Sequence, residues 1–218
     1  MSAPNTISKR DRILDVAEAL FALHGFDGVT MREIANGAEV DVALASYHFG
    51  KKRDVFDAVF MRRADMLNSS RREVLYASQE KDGGKNQSIE QIIEAFLLPL
   101  KMAQQTGDPG WKNYLALLAY IMASPFWSQE MMPRMYDKLV EEFIEALRTA
   151  LPNATDENIY WCYHYLSGAL TLTLAQTGRI DKLSKGKCRS SDFDAAYEHM
   201  IPFVAAGFRA VCGDSFHK

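Results

Sequence analysis

Ser46, Tyr47 and His48 stand side by side, and Lys51, Lys52 and Arg53 follow almost at once. A hydroxyl, a phenol and an imidazole beside a basic cluster suit contact with phosphates and base edges. Upstream, Thr30, Met31 and Arg32 offer a second polar and basic group. The short side chains of Ala43 and Ser46 permit close approach to a duplex, and Ala43 or Leu44 can touch a thymine methyl. The candidate DNA-contacting residues are therefore Thr30, Met31, Arg32, Val42, Ala43, Leu44, Ser46, Tyr47, His48 and Lys52. The plainer alternative is a solvated polar helix on a small helical domain.

The elements that must position these residues are legible around them. Thr30 with Glu33 three residues on is a capping box, in which each side chain satisfies a free backbone N–H. Ile34, Ala35 and Ala38 then form an apolar stripe at helical spacing. Val40 anchors a turn, and Asp41 is placed to cap a second helix over 42–48, its charge offset by that helix's dipole. Two short helices joined by a tight turn make a helix-turn-helix, whose second helix enters the major groove. Ala45 and Phe49 face the neighbouring helices and belong to the core. A helix over 9–24, stopped by Gly25, completes a three-helix unit.

The ungapped run 30–55, TMREIANGAEVDVALASYHFGKKRDV, resembles the N-terminal domain of the TetR family of bacterial repressors. It is most similar to a subgroup whose recognition helix and turn read AxVNYHFGSK. Glu39 stands where the family usually has Gly, Ser46 where the subgroup often has Asn, and Lys51 where it often has Ser. Glu39 raises the conformational cost of the turn. The resemblance implies an all-α fold of about nine or ten helices. It divides them into a DNA-binding domain over 1–54 and an effector-binding and dimerisation domain over 55–218. Residues 163–211 are also similar to the fatty-acid-responsive, PsrA-like members, through an SGAL run, Arg179-Ile180 with Leu183-Ser184, and the ending IPFVAAGFRA. That similarity implies an apolar, acyl-like effector.

Composition agrees with a soluble protein that has a substantial core. The chain has 218 residues, 48% of them hydrophobic and 24% charged, with a formal net charge of −3. Such a balance speaks against a protein that coats nucleic acid nonspecifically, while a site-specific binder needs only a local basic face. Lys9, Arg10, Arg12, Arg32, Lys51, Lys52 and Arg53 supply one. Three cysteines without metal spacing point to a reducing compartment, and the polar start and lack of a spanning apolar run point to the cytoplasm, away from membranes. No metal or cofactor is expected.

Beyond the reading head the whole chain reads as helix. A long helix runs from 52 to about 78 and carries the domain boundary within it. A break over 81–86 follows, then a helix capped by Ser88, a turn at 107–110, and helices over 111–123 and 135–150. A helix over 158–176 with Thr155 at its cap, a polar loop over 178–190 and a last helix opened by Ser191, kinked at Pro202, complete the chain. Small residues on the last two long helices and the family resemblance imply that these helices pair with a second copy.

Met and aromatic side chains crowd the C-terminal part. Most must be core, but adaptable Met and a few polar groups also suit an apolar pocket. Its candidate lining is Met102, Tyr114, Leu118, Phe126, Met131, Tyr136, Trp161 and His164, with His164 read as a hydrogen-bonded core or pocket residue. Cys162 and His164 are two apart on a helix and face different ways, so they are no nucleophile–base pair. An enzyme, or a ligand-binding protein without sequence-specific DNA binding, is the competing class. No nucleophile elbow, HExxH, phosphate loop or paired acids support catalysis. The expectation is a ligand-responsive regulator that holds a palindromic duplex operator as a homodimer and is released by a mostly apolar small molecule.

Overall fold

A computed structural model describes residues 8–81 and 87–213. Its described residues form eleven α-helices and no strand. Nine of the helices match those placed from sequence, and the two others have a local cause. α7 (Pro125–Met135) begins directly after α6 (Pro109–Ala123). Ser124 ends α6 and caps α7, accepting from Trp127 N–H, so the Ser-Pro pair is a corner between helices. α10 (Arg179–Leu183) is a short helix inside the expected polar loop.

The reading head is α1 (Lys9–His24), α2 (Met31–Gly37) and α3 (Val42–Phe49). Ile13, Leu14, Ala17 and Phe21 are buried at helical spacing on α1, and Gly25 ends it at a positive φ of 68°. The turn between α2 and α3 places Glu39 at φ 51°, the left-handed conformation in which a side chain is costly. α4 (Lys52–Lys81) then runs 30 residues, about 45 Å at the helical rise. Its apolar face of Val55, Phe56, Val59, Phe60, Ala64 and Leu67 serves both the reading head and the C-terminal core. The break expected at 81–86 falls outside the described residues except for Lys81, where α4 ends.

α5 (Ile89–Gln105) opens on a complete capping box of Ser88 and Gln91. It packs against α4 and against α11 (Phe193–Cys212), which packs in turn on α9 (Asp156–Leu174). α8 (Asp137–Ala150) closes the bundle against α5 and α9. Asp192, not Ser191, caps α11 by accepting from Ala195 N–H, and the helix continues unbroken through Pro202. Asp108 caps α6 and Pro109 is its first residue, so the predicted turn is already helix there.

The two halves are joined by α1, which packs on both α4 and α6. Glu18 of α1 is buried and held by Arg62 at 2.5 Å and Arg63 at 3.1 Å, and Arg63 reaches Asp108 at 2.9 Å. One partner removed would leave a buried charge uncompensated, so this cluster fixes how the reading head sits on α6.

Candidate functional site

α3 turns Val42, Ala43, Ser46, Tyr47 and His48 to solvent, with Tyr47 84% exposed. Ala45 is fully buried and Phe49 half-buried, capped by the Arg10 guanidinium 5.0 Å from its ring. The apolar pair thus holds the helix, while the polar residues between them face outward. Leu44 and Met31 are half-buried at the edge of the same face, and Thr30 and Arg32 are exposed beside it. Thr30 is already engaged: its N–H and its hydroxyl both donate to Glu33 at 2.8 Å. These bonds hold the Glu33 carboxyl below the usual carboxylate range. A phosphate contact from Thr30 must therefore compete with its own cap. Asp41 occupies the cap position of α3 but makes no side-chain cap hydrogen bond, which corrects the expected cap. Its exposed carboxylate rests at the helix N-terminus, where the dipole favours negative charge.

Lys52 departs from the expected exposed contact. Its ammonium donates to the carbonyls of Phe26 and Val29, each at 2.9 Å, and lies 4.2 Å from the Phe26 ring centre. Those carbonyls lie between α1 and α2, outside any helix; Lys52 at the start of α4 donates to both, and the Phe26 oxygen also accepts from Val29 N–H at 3.4 Å. Others of the basic cluster are also occupied. Arg53 pairs with Asp57 at 3.2 Å and Glu130 at 3.5 Å, and Arg12 with Glu39 at 3.9 Å. Lys9, Arg10, Arg32 and Lys51 are the exposed cations of this region.

A second feature lies in the C-terminal bundle. Arg71, Phe96, Leu118, Met122, Met132, Tyr136, Val140, Tyr163 and Leu170 enclose a cavity of about 20 Å³, room for roughly one water. Tyr136 and Tyr114 are buried and joined hydroxyl to hydroxyl. Burial pushes both phenols up, Tyr136 to about 12. Of the eight expected pocket residues, Leu118 and Tyr136 line this cavity, and Tyr114 backs it. Met131 is core.

The other four are corrected. Met102 (56% exposed), Phe126 (59%) and Trp161 (50%) are surface residues, as is His164. On α9 the buried residues are Ile159, Cys162, Leu166, Leu170 and Leu174, which places Trp161 and His164 on the opposite face. There the Trp161 and Tyr165 rings stack at 6.0 Å, and His164 meets both edge-on at 5.8 and 6.0 Å. Phe126 lies on the outside of Trp127, beneath Arg53. Aromatic content alone does not separate inner from outer faces.

Arg71, Phe96, Met122, Met132, Val140, Tyr163 and Leu170 line the cavity but were not among the expected pocket residues. The signal for Arg71 is present: it continues the buried series Phe60, Ala64, Leu67 at helical spacing, with Leu75 one turn on. A charge inside an apolar stripe is the mark of a buried polar site. Cys162 and Cys212 lie sulfur to sulfur at 3.9 Å between α9 and α11. Burial pushes both thiols up, Cys162 to about 12, which keeps them protonated and unreactive. Among the described residues no group of three or more His, Cys, Asp or Glu is arranged to hold a metal ion, and no helix is long and apolar enough to cross a membrane.

A family model described as the tetracyclin repressor-like C-terminal domain matches residues 94–207, more than half of the chain. The chain belongs to the TetR family. A second model, of bacterial regulatory proteins of the tetR family, matches residues 13–59, from α1 into α4. The helix-turn-helix of α2 and α3 lies within that second match. The biofilm operon icaADBC HTH-type negative transcriptional regulator IcaR of Staphylococcus aureus (strain Newman) is 26% identical over 92 residues. That stretch covers 42% of this chain and 47% of IcaR, so it spans about half of the relative. The HTH-type transcriptional regulator YttP of Bacillus subtilis is 46% identical over 46 residues, 21% of this chain and 22% of YttP. A tetR family transcription regulator from Shewanella sp. PV-4 has a similar structure, with a TM-score of 0.65 at 15% identity over 91% of this chain and 97% of that one. A TetR-like regulator from Rhodococcus sp. RHA1 has a TM-score of 0.59 at 20% identity, covering 98% and 100%. At these identities the two structures speak for the fold alone.

Proposed function

We propose that this TetR-family chain is a ligand-responsive repressor acting in the cytoplasm. It binds a palindromic operator as a homodimer and is released by a mostly apolar small molecule. The observation that carries the DNA assignment is the outward face of α3, where Tyr47, His48, Ser46 and Ala43 are exposed while Ala45 and Phe49 hold the helix. The negative regulation named for IcaR supports the sign.

The pairing surface would be the outer face of α9 and α11. Tyr160, Trp161, Tyr165 and Leu172 of α9 are exposed there, as is Phe203 of α11 at 75%. A Cβ added at Gly168 or Gly207 would meet nothing within 4 Å, so both helices offer open ground for a second helix. Exposed apolar surface of this kind marks an interaction site, and a second copy offers the same face.

Release would pass through α7. Its end carries Met132 and leads into Tyr136, both on the cavity. Its start carries Trp127, packed on Phe26 at 4.8 Å and on Phe56 at 4.6 Å. Phe26 is held by Lys52, at the root of the reading head. A ligand that moves α7 would thus shift the reading heads relative to one another, and DNA would weaken that ligand's binding in equal measure. We divide the chain accordingly into a reading head over 1–54 and an effector and dimerisation part over 55–218, with α4 crossing between them. The resemblance of 163–211 to PsrA-like members is our reason for including acyl compounds among the effectors to be tried.

Selection from a pool of random duplexes tests the proposal. The enriched sequence is expected to be a palindrome with half-sites centred about one helical turn, ~34 Å, apart. No enrichment, or an asymmetric single site, would contradict it.

A further inference from the structure

The cavity in the C-terminal bundle is apolar except for the Arg71 guanidinium and the phenols of Tyr136 and Tyr163. Arg71 is 2% exposed. Its Nε donates to the Phe96 carbonyl at 2.9 Å, and the guanidinium stacks 4.1 Å from the centre of the Phe96 ring. Among the described residues no carboxylate pairs with it, and no hydrogen bond to its two terminal nitrogens is present. Burial disfavours its charged form and lowers its pKa. The Tyr197 hydroxyl is buried with no hydrogen-bond partner. Elsewhere in the molecule the buried charge is matched: Glu18 has two arginines. An unmatched buried cation on the wall of a cavity suits an anionic group.

We propose that this cavity is the effector pocket and that it takes an organic carboxylate, its head on the Arg71 guanidinium and its apolar body among Leu118, Met122, Met132 and Leu170. The proposal rests on the reading of the chain as a ligand-responsive regulator and narrows the ligand's chemistry. The planar fork of arginine matches a carboxylate with two parallel hydrogen bonds. The cavity without ligand is far too small for such a molecule, so the walls must move. Met122, Met132, Val140 and Tyr163 are only partly buried and form its outer wall. Two of these four are methionines, whose unbranched side chains re-pack readily. Opening at Met132 and Tyr136 acts directly on the junction of α7 and α8.

The test uses the full chain without DNA, so its failure is separate from any failure of operator binding. Octanoate and 3-phenylpropanoate are compared with octanamide and 3-phenylpropanamide by calorimetry and thermal melting. The wild type is expected to bind at least one carboxylate at least tenfold more tightly than its amide, with a rise in Tm. Arg71→Gln is expected to keep its helicity and lose that preference. Equal binding of acid and amide by the wild type overturns the proposal. So does a preference retained in Arg71→Gln, or no binding of any of the four probes. If Arg71→Gln does not fold, the acid–amide comparison on the wild type decides alone.

Discussion

Lys52 is the residue whose role changes most between sequence and structure. In the run Gly-Lys-Lys-Arg it reads as a phosphate contact, because a sequence shows charge and not direction. In the fold its ammonium ties the Phe26 and Val29 carbonyls to the start of α4. Lys52→Met is therefore expected to lower stability, since two charge-assisted hydrogen bonds are lost at a partly buried site. Hydrogen bonds to charged groups contribute about 1.5–3 kcal/mol, and solvent screening at this site holds the pair to that range. For a chain of this size that is a Tm fall of roughly 3–12 °C by thermal melting. A melting temperature unchanged from the wild type would return Lys52 to the surface and to the DNA. Thr30 and Glu33 are legible in full, because a capping box is a local pattern and its two bonds close within four residues. Arg71 is legible only in part: helical spacing places it among apolar neighbours, but nothing local tells which of several arginines on α4 lacks a partner.

A local start signal makes a helix legible in sequence where it cannot also be read as a break. Ser88 and Thr155 announce α5 and α9. α7 escapes because Ser124-Pro125 serves both as an end and as a beginning, and a proline at the first helical position looks like a break. α6 carries a different constraint. A Cβ at Gly110 would stand 1.7 Å from Nη2 of Arg63 and 2.6 Å from Oε1 of Glu18. Arg63 is the end of a flexible chain, but it is held by Glu18, by Asp108 and by the face of Trp111 at 4.9 Å. Gly110→Ala should therefore destabilise the protein by about 1–3 kcal/mol, although alanine in an unhindered helix start stabilises by roughly 0.4–1 kcal/mol. The sign of the Tm change decides between them, and a rise would show that Arg63 yields freely.

For the molecule as a unit, the sequence puts aromatics in a pocket that the fold puts on an outer face. Core and interface are built from the same side chains, so hydropathy cannot assign Trp161 or Phe203 to one or the other. Position on the helix can: α9 buries Cys162 and Leu166 inward and turns Trp161 and Tyr165 outward. If that face pairs two copies, Gly207→Glu sets a charge in open ground on each. The variant is expected to keep its helicity, to sediment as a monomer at micromolar concentration and to lose operator binding, while the wild type sediments as a dimer. A wild-type monomer would remove the basis for paired reading heads.

Every step of the mechanism depends on the exposed face of α3 reading DNA. Tyr47 is the sharpest probe of that face because it is 84% exposed and touches little else. The quantity to determine is the affinity of Tyr47→Ala for the selected operator, by titration at fixed salt, beside the wild type. The expected loss is about 1–3 kcal/mol, roughly 5- to 150-fold, with the melting temperature and the dimer unchanged. An affinity equal to that of the wild type would overturn the assignment of this face.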